Sequence, residues 1–122
     1  MEIKTKLYLV DSDGEKFMGI GVLWLLERVE SEGSLRAAAA SMDISYSKAY
    51  GMVRNLERQL GIPVVDRKKG GASHEGASLT AFGKSFLKLY SMFQTEAKAR
   101  LIEPFDTFTI AFNKLLHEYE GI

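Results

Sequence analysis

The sequence predicts a mainly helical protein with a small amount of β-structure. Four stretches carry apolar side chains at intervals of three and four residues, the spacing of one helix face, at residues 22–32, 46–60, 81–103 and 105–119. The other regular segments are a short alanine-rich stretch and brief β-type runs bounded by glycine and polar residues. The length of 122 residues fits one domain with a hydrophobic core.

Composition excludes several classes of function. The absence of cysteine removes disulfides, thiolate zinc sites, iron–sulfur clusters and cysteine nucleophiles. Two histidines leave little for a metal site, and no apolar run approaches the roughly 20 residues of a membrane helix. The N-terminus carries no apolar signal core. We therefore expect a soluble, cytoplasmic protein with no catalytic residue, metal, cofactor or membrane partner.

The net charge of zero conceals an uneven distribution. Residues 34–90 carry a net charge of +5, whereas residues 1–33 carry −3 and residues 91–122 carry −2. A basic centre between acidic ends is typical of a protein with one surface that faces an anion. Chance unevenness is the alternative interpretation in so short a chain.

The N-terminal quarter predicts a β-hairpin followed by a helix. Residues 3–10 begin with alternating side chains, as a half-buried strand does, and a polar turn separates them from a short return strand at 15–18. Residues 22–32 carry one apolar face, and Gly33 is suited to end that helix. Trp24 is predicted to lie in the core, the more common place for a lone helical tryptophan than a ligand platform.

The central residues predict a helix-turn-helix. Ser34 is placed to cap a short alanine-rich helix at 35–42, and Ser45 to cap a second helix at 46–60. The alanines allow the two helices to cross closely, and the second helix has a single apolar stripe. Its opposite face is polar, with Glu57 as the one carboxylate, and can enter a DNA major groove, which accepts one helix. A plain helical hairpin in a bundle is the alternative.

A basic, glycine-rich hairpin follows and predicts a wing. Short strands at 62–67 and 77–79 enclose a polar loop at 68–76. A bundle does not need such a hairpin, so its presence favours a winged helix-turn-helix. A nucleotide-phosphate loop is the other interpretation of the glycines, but no Lys-Ser or Lys-Thr pair directly follows Gly70, Gly71 or Gly76, and these glycines do not lead from a strand into a helix.

The C-terminal region predicts two helices with an apolar seam. Thr80 is placed to cap a helix running from Ala81 toward Glu103, and Pro104 must kink or restart it because proline lacks an amide donor. We predict that the seam is a homodimer interface, with packing on the chain's own core as the alternative. Its residues are Leu101, Phe105, Phe108, Phe112, Leu115 and Tyr119. The single domain is then divided into a hairpin, a helix-turn-helix with wing, and dimerisation helices, at 1–19, 20–80 and 81–122.

Residues 33–67 resemble the winged helix-turn-helix of LysR-type regulators, and more closely the N-terminal DNA-binding domain of ModE-type molybdate-responsive regulators. The resemblance covers about residues 3–95. It is carried by Ile44-Ser45-Tyr46-Ser47-Lys48-Ala49-Tyr50, Gly70-Gly71, Gly76-Ala77-Ser78-Leu79-Thr80 and Phe82-Gly83-Lys84. It implies dimeric control of transcription on double-stranded DNA, with the flanking helices and the hairpin contributing to the dimer. Full-length ModE-type regulators carry C-terminal oxyanion-binding domains that this 122-residue sequence lacks. We therefore expect no oxyanion effector for this chain.

The helical period assigns candidate DNA contacts. The side opposite the apolar stripe carries the candidate base-reading residues Ser45, Tyr46, Ser47, Tyr50 and Arg54. For Arg54, a phosphate contact or an ion pair with Glu57 remains the alternative to a guanine contact. The candidate phosphate contacts are Ser34, Arg36, Lys48, Arg58, Arg67, Lys68 and Lys69.

A sequence-specific DNA-binding regulator is thus the favoured function. An enzyme would have to use Tyr46, Lys48, Tyr50 or His74, and no nucleophile–base pair or carboxylate pair stands out among them. Two further alternatives keep the fold without this function. One is a protein-interaction module, and the other is a small-ligand-sensing dimer with a crevice near residues 105–112.

Overall fold

The computed structural model of the chain describes residues 1–70 and 74–120, and these residues are mainly helical. Two sheets of two antiparallel strands accompany the helices of the described residues. The elements follow one another as β1 (Leu9–Val10), β2 (Lys16–Met18), α1 (Ile20–Glu32), α2 (Leu35–Ser41), α3 (Tyr46–Leu60), β3 (Val65–Gly70), β4 (His74–Leu79), α4 (Ala81–Ala99) and α5 (Ile102–Tyr119). The predicted class, mainly helical with small β-hairpins, is confirmed.

Backbone packing divides the chain into two compact units. One unit, Lys6–Ser91, holds both sheets, the first three helices and the first part of α4. The other consists of Met1–Thr5 and Met92–Ile122, with the remainder of α4 and all of α5. The boundary between the two units falls inside α4.

Serine hydroxyls start the two central helices. The Ser34 Oγ accepts a hydrogen bond of 2.9 Å from the amide of Ala37, which lies in α2. The Ser45 Oγ accepts one of 3.0 Å from the amide of Lys48, which lies in α3. Each bond pairs an amide that the helix itself leaves without an acceptor. Both predicted N-caps of the helix-turn-helix are confirmed.

Left-handed residues end α1 and α3 and form the turn between α2 and α3. Gly33 has a φ of 77° and donates to the Val29 carbonyl at the end of α1. Gly61 has a φ of 73° and donates to the Glu57 carbonyl at the end of α3. Asp43, with a φ of 57°, supplies the same geometry in the turn between α2 and α3. Aspartate tolerates this region better than most residues with a side chain do.

The hydrophobic core lies within the helix-turn-helix and the elements around it. Ala38 and Ala39 are 0% and 1% exposed, so small side chains do stand at the helix crossing. The predicted inward stripe of α3 is confirmed, with Ala49, Val53 and Leu56 fully buried. The core is completed by Met18, Val22, Leu23, Leu25, Leu26, Val29, Leu35, Val64, Val65, Ala77, Leu79 and Tyr90.

The wing is more extended than the sequence predicts. β3 and β4 pair in unbroken antiparallel register from Val65 opposite Leu79 to Gly70 opposite His74. The predicted loop at 68–76 is therefore wrong over most of its length. Every second pair of an antiparallel ladder exchanges two hydrogen bonds between the strands, and polar or glycine residues do not prevent this. Residues 71–73 lie outside the described residues, as do the side chains of 68–70, 74 and 75.

Backbone groups fasten the wing to the first helix. The amide of Ala77 donates to the Gly33 carbonyl at 2.8 Å. The amide of Leu79 donates to the carboxylate of Glu30 at 3.0 Å, and the other oxygen of Glu30 lies 3.5 Å from the ammonium of Lys84. β4 therefore has a defined position beside the end of α1, and the winged helix-turn-helix is complete within this unit.

The N-terminal hairpin is shorter than predicted. Of the strand expected at 3–10, only Leu9–Val10 pairs, with the return strand Lys16–Met18. The return strand has three residues and α1 begins at Ile20, so within the described residues the ladder of this hairpin does not extend before Leu9. The longer first strand is therefore a wrong prediction.

Two side chains of α3 hold this hairpin. The Gln59 amide donates to the Asp11 carboxylate at 3.0 Å, and the Asn55 amide donates to the Lys16 carbonyl at 3.3 Å. The hairpin and the C-terminal half of α3 are therefore joined through hydrogen bonds.

Trp24 is not a core residue. It is 49% exposed, whereas Val22, Leu26 and Val29 of the same helix are buried. Successive helical residues are rotated by about 100°, which places Trp24 on the side away from these three. The prediction of a buried tryptophan is therefore wrong.

The break between the last two helices precedes the proline. α4 ends at Ala99 and α5 begins at Ile102, so the predicted continuation of the long helix to Glu103 is wrong. Pro104 lies in the first turn of α5, where an amide has no intrahelical acceptor to lose. Of the two outcomes expected at Pro104, a kink or a restart, the structure shows that the helix ends and a new one begins before the proline.

Candidate nucleic-acid interface

The outward face of α3 carries four of the five predicted base-reading residues, with Ser45 at its start. Ser47, Tyr50 and Arg54 are exposed on the side away from the core stripe, and Tyr46 is half-buried at the border of that side, packed against the core. The Ser45 hydroxyl already accepts the capping bond and retains its own proton for donation. The candidate base-reading side chains thus lie next to one another along α3 and at its start.

Two arginines of this region lie on the rings of two tyrosines. The Arg36 guanidinium, from α2, is 4.4 Å from the ring centroid of Tyr46. The Arg67 guanidinium, from β3, is 4.4 Å from the ring centroid of Tyr50. The two rings, one helical turn apart, have centroids separated by 6.2 Å. Arg36, Tyr46, Tyr50 and Arg67 therefore form one contiguous group, the Arg–Tyr row, which joins α2, α3 and β3.

Arg54 lies further along α3 and is not paired with Glu57. Glu57 instead accepts hydrogen bonds from the amides of Val64 and Val65, at 2.8 and 3.3 Å. Among the described residues, the ion pairs within 4 Å involve other side chains. Arg54 and Arg58 line a shallow cleft of about 310 Å³ at the C-terminal end of α3. The ion-pair alternative for Arg54 is therefore wrong for this structure.

The remaining predicted phosphate contacts are dispersed around this face. Lys48 is exposed in the first turn of α3, and Ser34 caps α2. The backbone of Lys68 and Lys69 belongs to β3, but their side chains lie outside the described residues. The structure brings Arg36 and Arg67 together with the tyrosines of α3, and it groups Arg54 with Arg58.

Sequence reasoning missed the roles of two carboxylates. Glu57 and Glu30 each accept a hydrogen bond from the backbone of a wing strand or of the segment leading into it. The ring contact of Tyr46 and Tyr50 could have been inferred from their four-residue spacing. Their arginine partners could not, because each arginine is ten or more positions away from its tyrosine in the sequence and only tertiary folding brings them together.

The predicted dimer residues form a partly exposed apolar seam. Phe108 and Phe112 stack on one another with centroids 5.6 Å apart. Phe108, Leu115 and Tyr119 are 55%, 50% and 66% exposed. Leu101, Phe105 and Phe108 also line a mainly apolar cleft of about 520 Å³ with the first four residues of the chain. No residue of α5 is buried within this chain.

Metal and membrane sites find no support in the described residues. Within residues 1–70 and 74–120, no three side chains of the metal-binding types lie close enough to hold an ion. His74, one of the residues an enzyme would need, belongs to β4 with its side chain outside the described residues. No helix in the described part of the chain combines the length and the apolar character needed to cross a membrane.

A compact unit with a capped helix-turn-helix, a basic tyrosine-containing helix face and an attached wing defines the class of winged regulatory domains. Residues 21–84 match the family model described as bacterial regulatory helix-turn-helix protein, lysR family. The matched segment covers more than half of the chain and includes α1, α2, α3 and the wing. The chain belongs to the LysR family of bacterial regulatory helix-turn-helix proteins.

Individual relatives agree with this assignment. The molybdenum transport protein ModE of Azotobacter vinelandii is 31% identical over 100 residues, which cover 76% of this chain and 37% of that protein. The CbnR DNA-binding domain in complex with DNA matches with a TM-score of 0.58 at 24% identity, over 74% of this chain and 98% of that chain. Full-length CbnR complexed with its target DNA matches with a TM-score of 0.55 at 25% identity, over 71% of this chain and 28% of that chain. This chain therefore spans well under half of the ModE protein and of full-length CbnR.

Proposed function

We propose that the chain binds double-stranded DNA sequence-specifically, as a homodimer, and thereby regulates transcription. The observation that carries the proposal is the outward face of α3 with its two flanking arginines. Tyr46, Tyr50 and Arg54 lie there, and Arg36 and Arg67 adjoin the same face. No cofactor, oxyanion effector or catalytic step forms part of the proposal.

The chemistry of this face suits a polyanion. Glu57 is the one carboxylate of α3, and its Oε2 is engaged by two backbone amides. Guanidinium groups bind phosphate through paired N–H donors, and a major groove accommodates one helix. In this arrangement α3 enters the groove, and Ser47 and Arg54 are placed to meet base edges. The phosphates are bound by residues around this helix, namely Ser34 through its hydroxyl, Arg36, Lys48, Arg58, Arg67, and the wing lysines Lys68 and Lys69.

The apolar seam of α5 supports the homodimer. Leu101, Phe105, Phe108, Phe112, Leu115 and Tyr119 follow one another at intervals of three and four residues, which is the repeat of helices that pair along an apolar seam. A two-fold axis buries the same seam on both copies at once. A dimer presents two copies of α3, so its operator contains two half-sites related by symmetry.

A binding measurement on selected DNA tests the proposal. A site is selected from a random duplex pool, and the affinity for it is compared with that for a shuffled duplex across a series of salt concentrations. We expect tighter binding to the selected site, and an affinity that falls steeply with salt because counterions are released from the phosphates. A chain that binds no duplex even at low salt would point instead to a protein-interaction module.

A further inference from the structure

The Arg–Tyr row suggests that the two tyrosines act through the arginines that lie on them. Each guanidinium stands 4.4 Å from a ring centroid, well within the roughly 6 Å limit for a cation–π contact. Both arginines are exposed, and the ion pairs among the described residues involve neither of them. A ring that covers the face of a guanidinium leaves N–H groups at its edge free to bind another partner.

The Arg–Tyr row also determines where the guanidinium N–H groups of its two arginines are held. Arg36 lies on α2, next to the first residue of α3, and Arg67 lies on the wing strand β3. Val65 and Arg67 alternate with Asp66 along that strand, so Arg67 shares the face of the buried Val65, toward the helices. An arginine has several rotatable bonds, and fixing it before binding lowers the entropic cost of each phosphate contact.

We propose that Tyr46 and Tyr50 are positioning residues, which hold Arg36 and Arg67 as two preformed phosphate clamps at the edges of the recognition helix. This inference rests on the proposed DNA-binding function. It assigns the contribution of each tyrosine to the aromatic ring and not to the hydroxyl. Because phosphates are identical in every sequence, it also predicts that the tyrosines strengthen binding equally on all DNA sites. Contact between these rings and thymine methyl groups is the opposing role.

Tyr50 and Arg67 allow the sharper test, since both side chains are exposed and Tyr50 can be changed without removing core volume. The variants are Tyr50→Phe, which keeps the ring, Tyr50→Leu, which removes it, Arg67→Ala, and the double change Tyr50→Leu with Arg67→Ala. Arg100→Ala is the matched control, because it removes one exposed arginine whose partner is Glu96 at 2.8 Å. Affinities are measured on the selected and the shuffled duplex.

We expect Tyr50→Phe to bind as the wild type does. Tyr50→Leu should lose about two- to fivefold in affinity on both duplexes, which is the range of an exposed cation–π contact. Arg67→Ala should reduce the slope of log K against log salt by about 0.9, the value of one phosphate contact. The double variant should bind only slightly more weakly than Arg67→Ala alone, since the ring has no guanidinium left to hold.

Several results would overturn the positioning role. Equal losses for Tyr50→Phe and Tyr50→Leu would assign the effect to the hydroxyl, and an altered preferred sequence for Tyr50→Leu would assign it to base reading. If the losses in binding free energy of the two single variants add up in the double variant, Tyr50 and Arg67 act independently and the ring does not hold the guanidinium. If Tyr50→Leu lowers the melting temperature, Arg67→Lys tests the same contact without altering α3. This variant should also lose affinity equally on both duplexes, because a lysine ammonium cannot stack flat on the ring as a guanidinium does. A wild type that binds no duplex at about 50 mM salt would overturn the proposed function and this role together.

Discussion

Gly83, in the first turn of α4, lies directly against the backbone of Val64, so closely that a Cβ on Gly83 would overlap the Val64 carbonyl. The same carbonyl accepts a hydrogen bond of 3.0 Å from the amide of Thr80. The Thr80 hydroxyl in turn accepts from the Gly83 amide at 2.9 Å and donates to the Pro63 carbonyl at 2.8 Å. The start of α4 and the segment that leads into the wing are therefore in backbone contact, which only glycine permits.

We expect Gly83→Ala to destabilise the protein by about 1–3 kcal/mol, the usual cost of overpacking against groups that cannot move. Thermal unfolding followed by circular dichroism measures it. Gly21→Ala is the control, since it also lies in the first turn of a helix and a Cβ there meets nothing within 4 Å. That variant should be unchanged or more stable by up to about 1 kcal/mol. Equal melting temperatures for Gly83→Ala and Gly21→Ala would contradict the close contact between Gly83 and the backbone of Val64.

The homodimer can be tested at the centre of the seam. The double change Phe108→Glu with Phe112→Glu should convert the dimer to a monomer, because association would then bury unpaired carboxylates. Sedimentation velocity shows whether the double variant is a monomer or a dimer. Loss of the dimer should also lower the affinity for a two-half-site operator, while residues 1–90 remain folded. Asn113→Glu adds a charge of the same kind on the same helix outside the seam and should leave the dimer intact. A wild type that sediments as a monomer at micromolar concentration would contradict the proposed interface.

The role of Arg54 can be determined by site selection. If Arg54 contacts a guanine edge, Arg54→Ala should cost about 1–3 kcal/mol on the preferred site and relax the preference at one base-pair position. If it binds a phosphate, all sequences should weaken equally. Arg100→Ala serves again as the control for the loss of one positive charge. An unchanged consensus for Arg54→Ala would remove Arg54 from the base-reading residues.

The wing lysines should strengthen DNA binding through phosphate contacts, which affect the salt dependence of the affinity and not the preferred sequence. Lys68→Ala with Lys69→Ala should flatten the slope of log K against log salt by about 0.9 for each phosphate that is no longer bound, without changing the preferred sequence. Lys98→Ala with Lys114→Ala removes the same charge from α4 and α5 and should leave the slope nearly unaltered. Binding titrations at four or more salt concentrations measure both slopes. Equal slopes for the two double variants would exclude a specific contribution of the wing lysines.

Local signals in the sequence were sufficient for the helix-turn-helix. The hydroxyls of Ser34 and Ser45 and the left-handed glycines Gly33 and Gly61 act within a few residues of their own positions. Local chemistry therefore determines where these helices begin and end. The apolar stripe of α3 was equally clear, since one helical period decides which side is buried.

Features that depend on partners distant in the sequence were not predictable in this way. The alternating pattern at residues 3–8 is that of a strand, yet a strand forms only where another strand is available, and β2 has three residues. The role of Glu57 depends on the amides of Val64 and Val65, which only the folded chain brings to it. The Arg–Tyr row depends on three elements at once, so no spacing within one element indicates it.

The alternation along β3 has a consequence for how this domain can vary between related proteins. Insertion of one residue between Val65 and Asp66 would shift the rest of the strand by one position and exchange its two faces. Asp66 would then face Tyr50, and a carboxylate would stand where DNA would otherwise meet a guanidinium. Surface hairpins usually accept insertions and deletions readily, because few of their neighbours depend on their length. We expect the base of this wing to keep a constant length among relatives that retain Tyr50 and Arg67, while its far end is free to change.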